Sequence, residues 1–368
     1  MARNRIIYQS EALYAGPSPA TGNHFSDQDN ELGSLVNQLH RVQSANYSFN
    51  IARQDVNQFG ELAAIDRVIL ESPTVSLDFS YILNSLANEE LLGFGPLDTD
   101  QVSCISGILN KTQDERNYFI RTVSEGADAL NVGTGAANQS VIGVGNGFIT
   151  SYSTEGSVGN FPTVTINVEA LNMNFDAGVT GNHIPAVVPA NGAKITGIKY
   201  ALPTVASSVG AAGVSALRPG DITLDLGAFD TDNIGGTKVS DAKIQSYTLS
   251  FDLAREPLQK LGSKFAFARE ITFPVTVSLS VDALVGDLTT GNLADLITTD
   301  KNYDLAVALK HPTTSATQVK YFLKRAKLDS QEFSSSIGDN KSVTLTFSAQ
   351  IGGPNQNDRG LMMSGVKD

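Results

Sequence analysis

The chain has 368 residues, 41% of them apolar and 17% charged, with a formal charge of -12 at pH 7. That acidity repels phosphate and argues against a protein that grips nucleic acid through its backbone. One cysteine, Cys104, excludes an intrachain disulfide and a multi-cysteine metal site.

Nowhere do about 18 apolar residues run together, as a membrane-spanning helix needs. The N-terminus, MARNRIIYQSEALYAG, has no apolar run of secretion-signal length, so the expectation is a soluble chain made in the cytoplasm. In residues 1–41, Arg5 to Tyr8 reads as a short strand, and Gly16 to about Asp29 as a loop broken by Pro17, Pro19 and Gly22. The spacing of Leu32, Leu35, Val36 and Leu39 predicts a helix over Glu31 to Gln43. Such an arm has little to bury and is expected to be ordered by a neighbour.

The stretch from Val42 to Leu83 is written twice. It overlays Ile244 to Val285 without a gap at an offset of 202, and about a third of the positions are identical, among them Ser48 with Ser250, Phe49 with Phe251, Arg53 with Arg255, Gly60 with Gly262 and Arg67 with Arg269. In both copies apolar residues alternate with Ser, Thr, Asn and Asp, which predicts two half-buried strands around a Gly-containing turn. Pro73 and Pro274 mark the start of the second strand in each.

Asn88 to Phe94 and Thr290 to Leu296 read as helices, and Gly95 to Arg116 as an insertion on the outside of the first unit. The similarity resumes at Asn117-Tyr118 and Asn302-Tyr303, each opening a strand, and closes with TVTINV from Thr163 and SVTLTF from Ser342 at an offset of 179. Ala177 to Ala193 has linker composition. The expected organisation is an arm with a short helix over 1–41, a first unit over 42–180 with its insertion at 95–116, a linker over 181–193, a second unit over 194–352 and a tail over 353–368. The class is all-β with minor α, two tandem β-sandwich or barrel units each with one flanking helix. Electrostatically the units differ: residues 1–185 hold 8 Lys+Arg against 20 Asp+Glu, while 186–368 hold 18 against 18.

Little points to catalysis, a cofactor or a metal. His24, His40, His183 and His311 lack Cys or acidic companions at ligand spacing. Gly143, Gly145 and Gly147 are not followed by Lys-Ser/Thr and read as a loop rather than a phosphate cradle. Glu89-Glu90 and Asp98 with Asp100 read as solvated helix ends. The informative pattern is the polar face of the repeated strands: Asn46, Ser48, Asn50, Ser76, Asp78 and Ser80 in the first copy, Thr248, Ser250, Asp252, Ser278, Ser280 and Asp282 in the second. None is a cation, and their presence in both copies suggests one continuous surface.

The runs Asn57-Gln58-Phe59-Gly60, Leu70 to Tyr81 (LESPTVSLDFSY) and Gly145 to Tyr152 (GNGFITSY) resemble the major tail (tail tube) proteins of tailed bacteriophages. The resemblance covers most of residues 42–175 and, more faintly, 244–352. It implies a virion protein, assembled in the host cytoplasm, whose inner sheets join in a ring around a lumen and whose rings stack into a tube that conducts double-stranded DNA. Two such units in one chain imply three chains per pseudo-sixfold ring, with the twelve polar residues facing the lumen. The implied partners are other copies, tail proteins at the tube ends, tape measure and sheath, and DNA in passage without specific binding; no membrane is implied. Competing readings are the tube of a phage-derived contractile injection device and a carbohydrate-binding or hydrolytic β-sandwich, the latter disfavoured by the absence of Trp and of a carboxylate pair.

Overall fold

The computed structural model describes every residue except 1–9, 19–35, 71, 96, 99, 110–113, 126, 131–138, 178–181, 190, 196–198, 201, 203–215, 226–242, 264, 286–299, 337–339, 355 and 368. It is nearly all β. The first half contributes β1 (Glu11–Pro17), β2 (Asn37–Gln38), β3 (Val42–Asn50), β4 (Arg53–Val56), β5 (Asp66–Ile69), β6 (Thr74–Ile82), α1 (Ala87–Leu91), α2 (Ser106–Leu109), β7 (Glu115–Val123), β8 (Gln139–Ser157), β9 (Thr163–Ala170) and β10 (Asn172–Ala177). Four two-residue strands follow: β11 (Asn182–His183), β12 (Val187–Val188), β13 (Ala193–Lys194) and β14 (Lys199–Tyr200). The second half contributes β15 (Ile222–Asp225), β16 (Lys243–Asp252), β17 (Arg255–Leu258), β18 (Ala268–Ile271), β19 (Val275–Leu284), β20 (Tyr303–Lys310), β21 (Thr317–Ser334), β22 (Ser342–Ile351) and β23 (Gly360–Gly365).

Strand β6 shows why these segments are extended. Val75, Leu77, Phe79 and Tyr81 are buried, and the Thr, Ser and Asp residues between them stay at the surface; β-branched and aromatic side chains fit such a half-buried pleat. The same alternation recurs in β9, β19 and β22. Together they build one antiparallel sheet of order β3-β6-β9-β8-β16-β19-β22-β21.

Strands β8 and β21 then leave that sheet. Residues 139–148 of β8 run between β7 and β10, and residues 317–326 of β21 between β20 and β23, with β1 on β7 and β15 on β20. Bulges at Ile149/Ser151 and Leu328/Ser330 sit where each strand changes layer, as expected of a device that bends a strand. The second layers close over the apolar face of the long sheet, with Phe79 6.0 Å from Tyr118 and Phe347 6.4 Å from Tyr303 between ring centres. One hydrophobic core therefore runs through both halves. Each fully buried Phe or Leu in it stabilises by roughly 1.5–3 kcal/mol.

The pairing recurs at constant offsets. Ser44↔Ser80 and Ser246↔Asp282 are 202 apart, Leu77↔Val168 and Leu279↔Phe347 are 202 and 179 apart, and Tyr152↔Ile166 and Gln331↔Leu345 are 179 apart. The bulges recur too, at Val42/Ser44 and Ile244/Ser246, and beside Asn146 (φ 56) and Arg325 (φ 55). The turn glycines Gly60 and Gly262 both hold positive φ, 96 and 83.

Several expectations fail. Residues 36–43 are not helical: Asn37 and Gln38 pair with Tyr14 and Ala15, and β3 starts at Val42, so tertiary pairing overrides the helical spacing. Part of the arm is core, since Leu13, Tyr14 and Ala15 of β1 are buried against β7. The insertion is not external: Leu97, Cys104, Ile105 and Ile108 are buried, and the backbone of Cys104 and of Leu97 bonds to Leu361 and Gly365 in β23. The tail from 353 includes that strand, with Leu361, Met362 and Met363 buried. Asn302-Tyr303 does not match Asn117-Tyr118. The register sets Tyr118↔Val144 against Leu305↔Leu323, two residues further on.

The glycines at 143–147 are strand, not loop. A Cβ on Gly145 would stand 2.4 Å from the Pro185 carbonyl, so glycine is needed there for close approach. Within the stretch read as linker, Ile184, Ala186 and Val187 are buried. The expected strand at Arg5–Tyr8, helix at Thr290–Leu296 and turn at 337–339 lie outside the described residues.

Candidate assembly edges and polar sheet face

All twelve polar residues singled out in the sequence lie on one face of the eight-stranded sheet. Asn46 opposes Asp78, Ser48 opposes Ser76, Thr248 opposes Ser280 and Ser250 opposes Ser278. Their neighbours in sequence point into the core, so a slip by one residue would bury every Asp. The face continues across the middle strands through Ser151, Ser153 and Glu155 of β8 and Thr165 and Asn167 of β9, and ends in Thr344 and Thr346 of β22 and Glu332 of β21. Across the middle of all eight strands this face carries Ser, Thr, Asn, Asp and Glu, and its cations among the described residues stand at the margins, Lys243 opposite Leu284 and Lys327 opposite Ser348.

Short cross-strand bonds order it. Ser44 and Ser80 hydroxyls meet at 2.7 Å, Ser48 and Ser76 at 2.8 Å, and Asp282 accepts from Ser246 at 2.8 Å and from Thr344 at 2.6 Å. Asp78 and Asp252 lie exposed.

The halves join at a seam where β8 pairs β16 from Ser157↔Ser246 to Ser151↔Asp252. Backbone bonds extend it at both ends, Leu253 N to Thr150 O at 2.7 Å and Val158 N to Gln245 O at 2.9 Å. Beneath it Phe251 stacks on Tyr152 with ring centres 5.3 Å apart, and Phe94 packs edge-on to both.

At its two ends the sheet is open. Among the described residues β3 pairs only with β6, and residues 327–334 of β21 pair only with β22. Strand β3 is the equivalent of β16, and the end of β21 is the equivalent of the end of β8. Phe251 in the seam is 2% exposed, whereas Phe49 in β3 is 57% exposed. Phe333 of β21 is 44% exposed at the place where the seam buries Thr154 completely. An open edge with bare backbone groups and apolar side chains is a template for another strand.

Sequence reasoning missed a buried polar cluster bridging the halves. Glu89 is not the solvated helix end that its sequence suggests but is fully buried. Its Oε1 accepts from the Tyr81 hydroxyl at 2.7 Å and the Tyr152 hydroxyl at 3.1 Å, and Tyr152 meets the Tyr321 hydroxyl of the second half at 2.8 Å. Glu89 Oε2 has no hydrogen-bond partner among the described residues. Burial pushes the Glu89 carboxyl up to about 7, against the opposing pull of the tyrosine hydroxyls. Glu90, one residue on, is exposed, with Lys367 at 3.6 Å.

No family model and no curated protein matches the chain. Among solved structures, one chain of the sixfold-symmetrised cryo-EM structure of the anti-feeding prophage baseplate is similar at 16% identity, over 33% of this chain and 78% of that chain, with a TM-score of 0.25. So slight a likeness bears on neither architecture nor role.

Proposed function

We propose that this chain is a structural tube protein like those of bacteriophage tails: three copies close a ring, rings stack, and the polar sheet face lines a channel for double-stranded DNA. One observation carries the reading: the chain makes a strand-pairing seam internally and presents the two halves of an equivalent seam, unpaired among the described residues, at the ends of the same sheet. Transferring the internal register by the repeat offsets pairs β3 of one copy with β21 of the next, Ser48 opposite Glu332 and Phe49 opposite Gln331. Three copies of eight strands make a closed wall of about 24, and at about 4.8 Å per strand and a tilt near 40° its backbone diameter is about 45–50 Å. That leaves room for side chains and a duplex. A wall whose middle band lacks cations, with Lys243 and Lys327 only at its margins, offers phosphates little to hold, so DNA passes without being trapped.

In this reading the protein is a virion component that works by assembly, not catalysis, and its ends meet other tail proteins. The test combines imaging with a register probe. Helical reconstruction of assembled tubes is expected to show threefold rings with six similar lobes, and Ser48→Cys with Glu332→Cys to give disulfide-linked trimers under mild oxidation. Six chains per ring, or no linkage in assembled material, would overturn the reading.

A further inference from the structure

The hairpin β4–β5 and the hairpin β17–β18 are equivalent at the offset of 202, but they live in different surroundings. The second lies on the first half of its own chain. Arg255 binds Asp114 (Nη2 to Oδ1 2.5 Å) and sits 4.9 Å over the Phe148 ring, Arg269 binds Glu169, and the Ser263 hydroxyl donates to the Pro189 carbonyl. It closes a groove floored by Glu115, Phe148 and Leu171, leaving a cavity of about 140 Å³. The first hairpin touches nothing comparable: β4 is exposed throughout and β5 nearly so. The Arg269 side chain is 8% exposed and its equivalent, Arg67, is 67% exposed.

The second half carries the matching groove, open. At the repeat offsets Glu115, Phe148, Glu169 and Leu171 become Asn302, Lys327, Ser348 and Gln350, and these four line an uncovered groove of about 580 Å³ together with Arg325 and Arg359. We infer that this groove is the seat of hairpin β4–β5 from a second copy of the chain. The inference rests on the ring reading above, because the same relation that brings β3 onto β21 carries the hairpin to the groove.

The charges have changed together on both sides. In sequence, residues 255–271 hold four cations (Arg255, Lys260, Lys264, Arg269) and two carboxylates (Glu256, Glu270); the groove under the hairpin is lined by Asp114 and Glu115, and Glu169 pairs with Arg269. Residues 53–69 hold two cations (Arg53, Arg67) and three carboxylates (Asp55, Glu61, Asp66), and the positions equivalent to the acidic trio are Lys301, Asn302 and Ser348. Individual contacts follow suit. Where Glu169 becomes Ser348, Arg67 takes its carboxylate from within the hairpin, Asp55 at 2.7 Å, a residue that replaces Pro257 of the other copy. Arg53 makes no ion pair among the described residues. Asp300, paired with Lys327 at 2.7 Å, stands one residue before the position equivalent to Asp114, where Arg53 would reach it. A hairpin tuned to one groove mismatches the other in charge, which selects alternation of first and second halves around a ring.

The test uses the full chain, in which Cys104 is buried. Arg67→Cys with Ser348→Cys, treated with a short bismaleimide after assembly, is expected to give intermolecular products, and Arg67→Cys with Glu169→Cys none. Arg53→Glu is expected to raise the concentration needed for assembly about tenfold, with recovery in Arg53→Glu/Asp300→Arg. Threefold rings that link through neither pair, or only through Glu169→Cys, would overturn the docking and leave the ring standing. If the wild-type chain forms no rings and no product, both fall.

Discussion

Strands β3 and β16 share their sequence pattern, their bulge and their register against the next strand, yet one is sealed and the other is open. The inward side chains Tyr247, Leu249 and Phe251 of β16 are buried, while Tyr47 of β3 is only partly covered and Phe49 is largely exposed. Nothing within the strand accounts for that. The cause is the neighbour: β16 has β8 along its outer edge and β3 has none among the described residues. A chain that contains both versions of one strand supplies its own control, and the exposure of Phe49 measures what is missing rather than what is unimportant.

The sharpest way to break this comparison is to remove the two phenylalanines separately. Phe251→Ala empties a packed site between Tyr152 and Phe94 and is expected to cost about 3–5 kcal/mol in unfolding by denaturant. Phe49→Ala in the unassembled chain is expected to cost less than about 1 kcal/mol, yet to abolish ring formation in sedimentation. Equal costs would mean that β3 is already covered in solution by something other than another copy.

A second test addresses the joint between the halves. The Glu89 carboxyl, raised by burial to about 7, binds its proton in the folded chain at pH values where the unfolded chain, at about 4.5, has lost it. The folded state is therefore favoured at low pH, and stability falls as pH rises from about 4.5 to about 7. The full effect is about 3 kcal/mol. Glu89→Gln, which keeps an acceptor for the hydroxyls of Tyr81 and Tyr152, should flatten the dependence and be the more stable form at pH 8. A wild-type melting temperature that does not fall between pH 5 and pH 8 would show that the proton is not held there.

Much of the fold was legible because period-two strands announce themselves: β6, β9, β16, β19 and β22 alternate cleanly, and the polar face follows from the same alternation. What escaped was non-local. In β8 the side chains that would show a strand are replaced by Gly143, Gly145 and Gly147, because the segment at Pro185 passes too close for a Cβ at the first two and the Tyr118 ring does so at the third. In β21 the run KYFLKRAKLDSQEF is dense in charge, since its lysines reach other segments, Lys320 to Asp100 and Lys327 to Asp300. Glu89 in NEELLGF has no local sign of burial; the hydroxyl network around it includes Tyr321, from a distant strand. The seam and the grooves depend on which strand lies beside which, and no single segment encodes that.

The smallest expected effect on the chain itself, and the most specific one for its role, comes from the polar face. Asp78 and Asp252 are exposed there, each opposite a neutral residue, Asn46 and Asn167 for Asp78 and Ser151 for Asp252. Asp282 is the poorer choice because it accepts from two hydroxyls. Changing Asp78 and Asp252 to Lys removes no packing, so stability should stay within about 0.5 kcal/mol, and rings should form, since neither residue lies on an inward position. If the face lines a DNA channel, each ring of three then presents six new cations to passing phosphates, and every phosphate neutralised adds about 0.9 to the slope of log affinity against log salt. Genome ejection from particles built with the double variant is expected to slow at low salt and to recover at high salt. A face turned to bulk solvent would give no such dependence: wild-type ejection rates at low salt, or lysines reactive toward a bulky reagent on intact tubes, would place these residues outside the channel and break the equivalence between polar face and lumen.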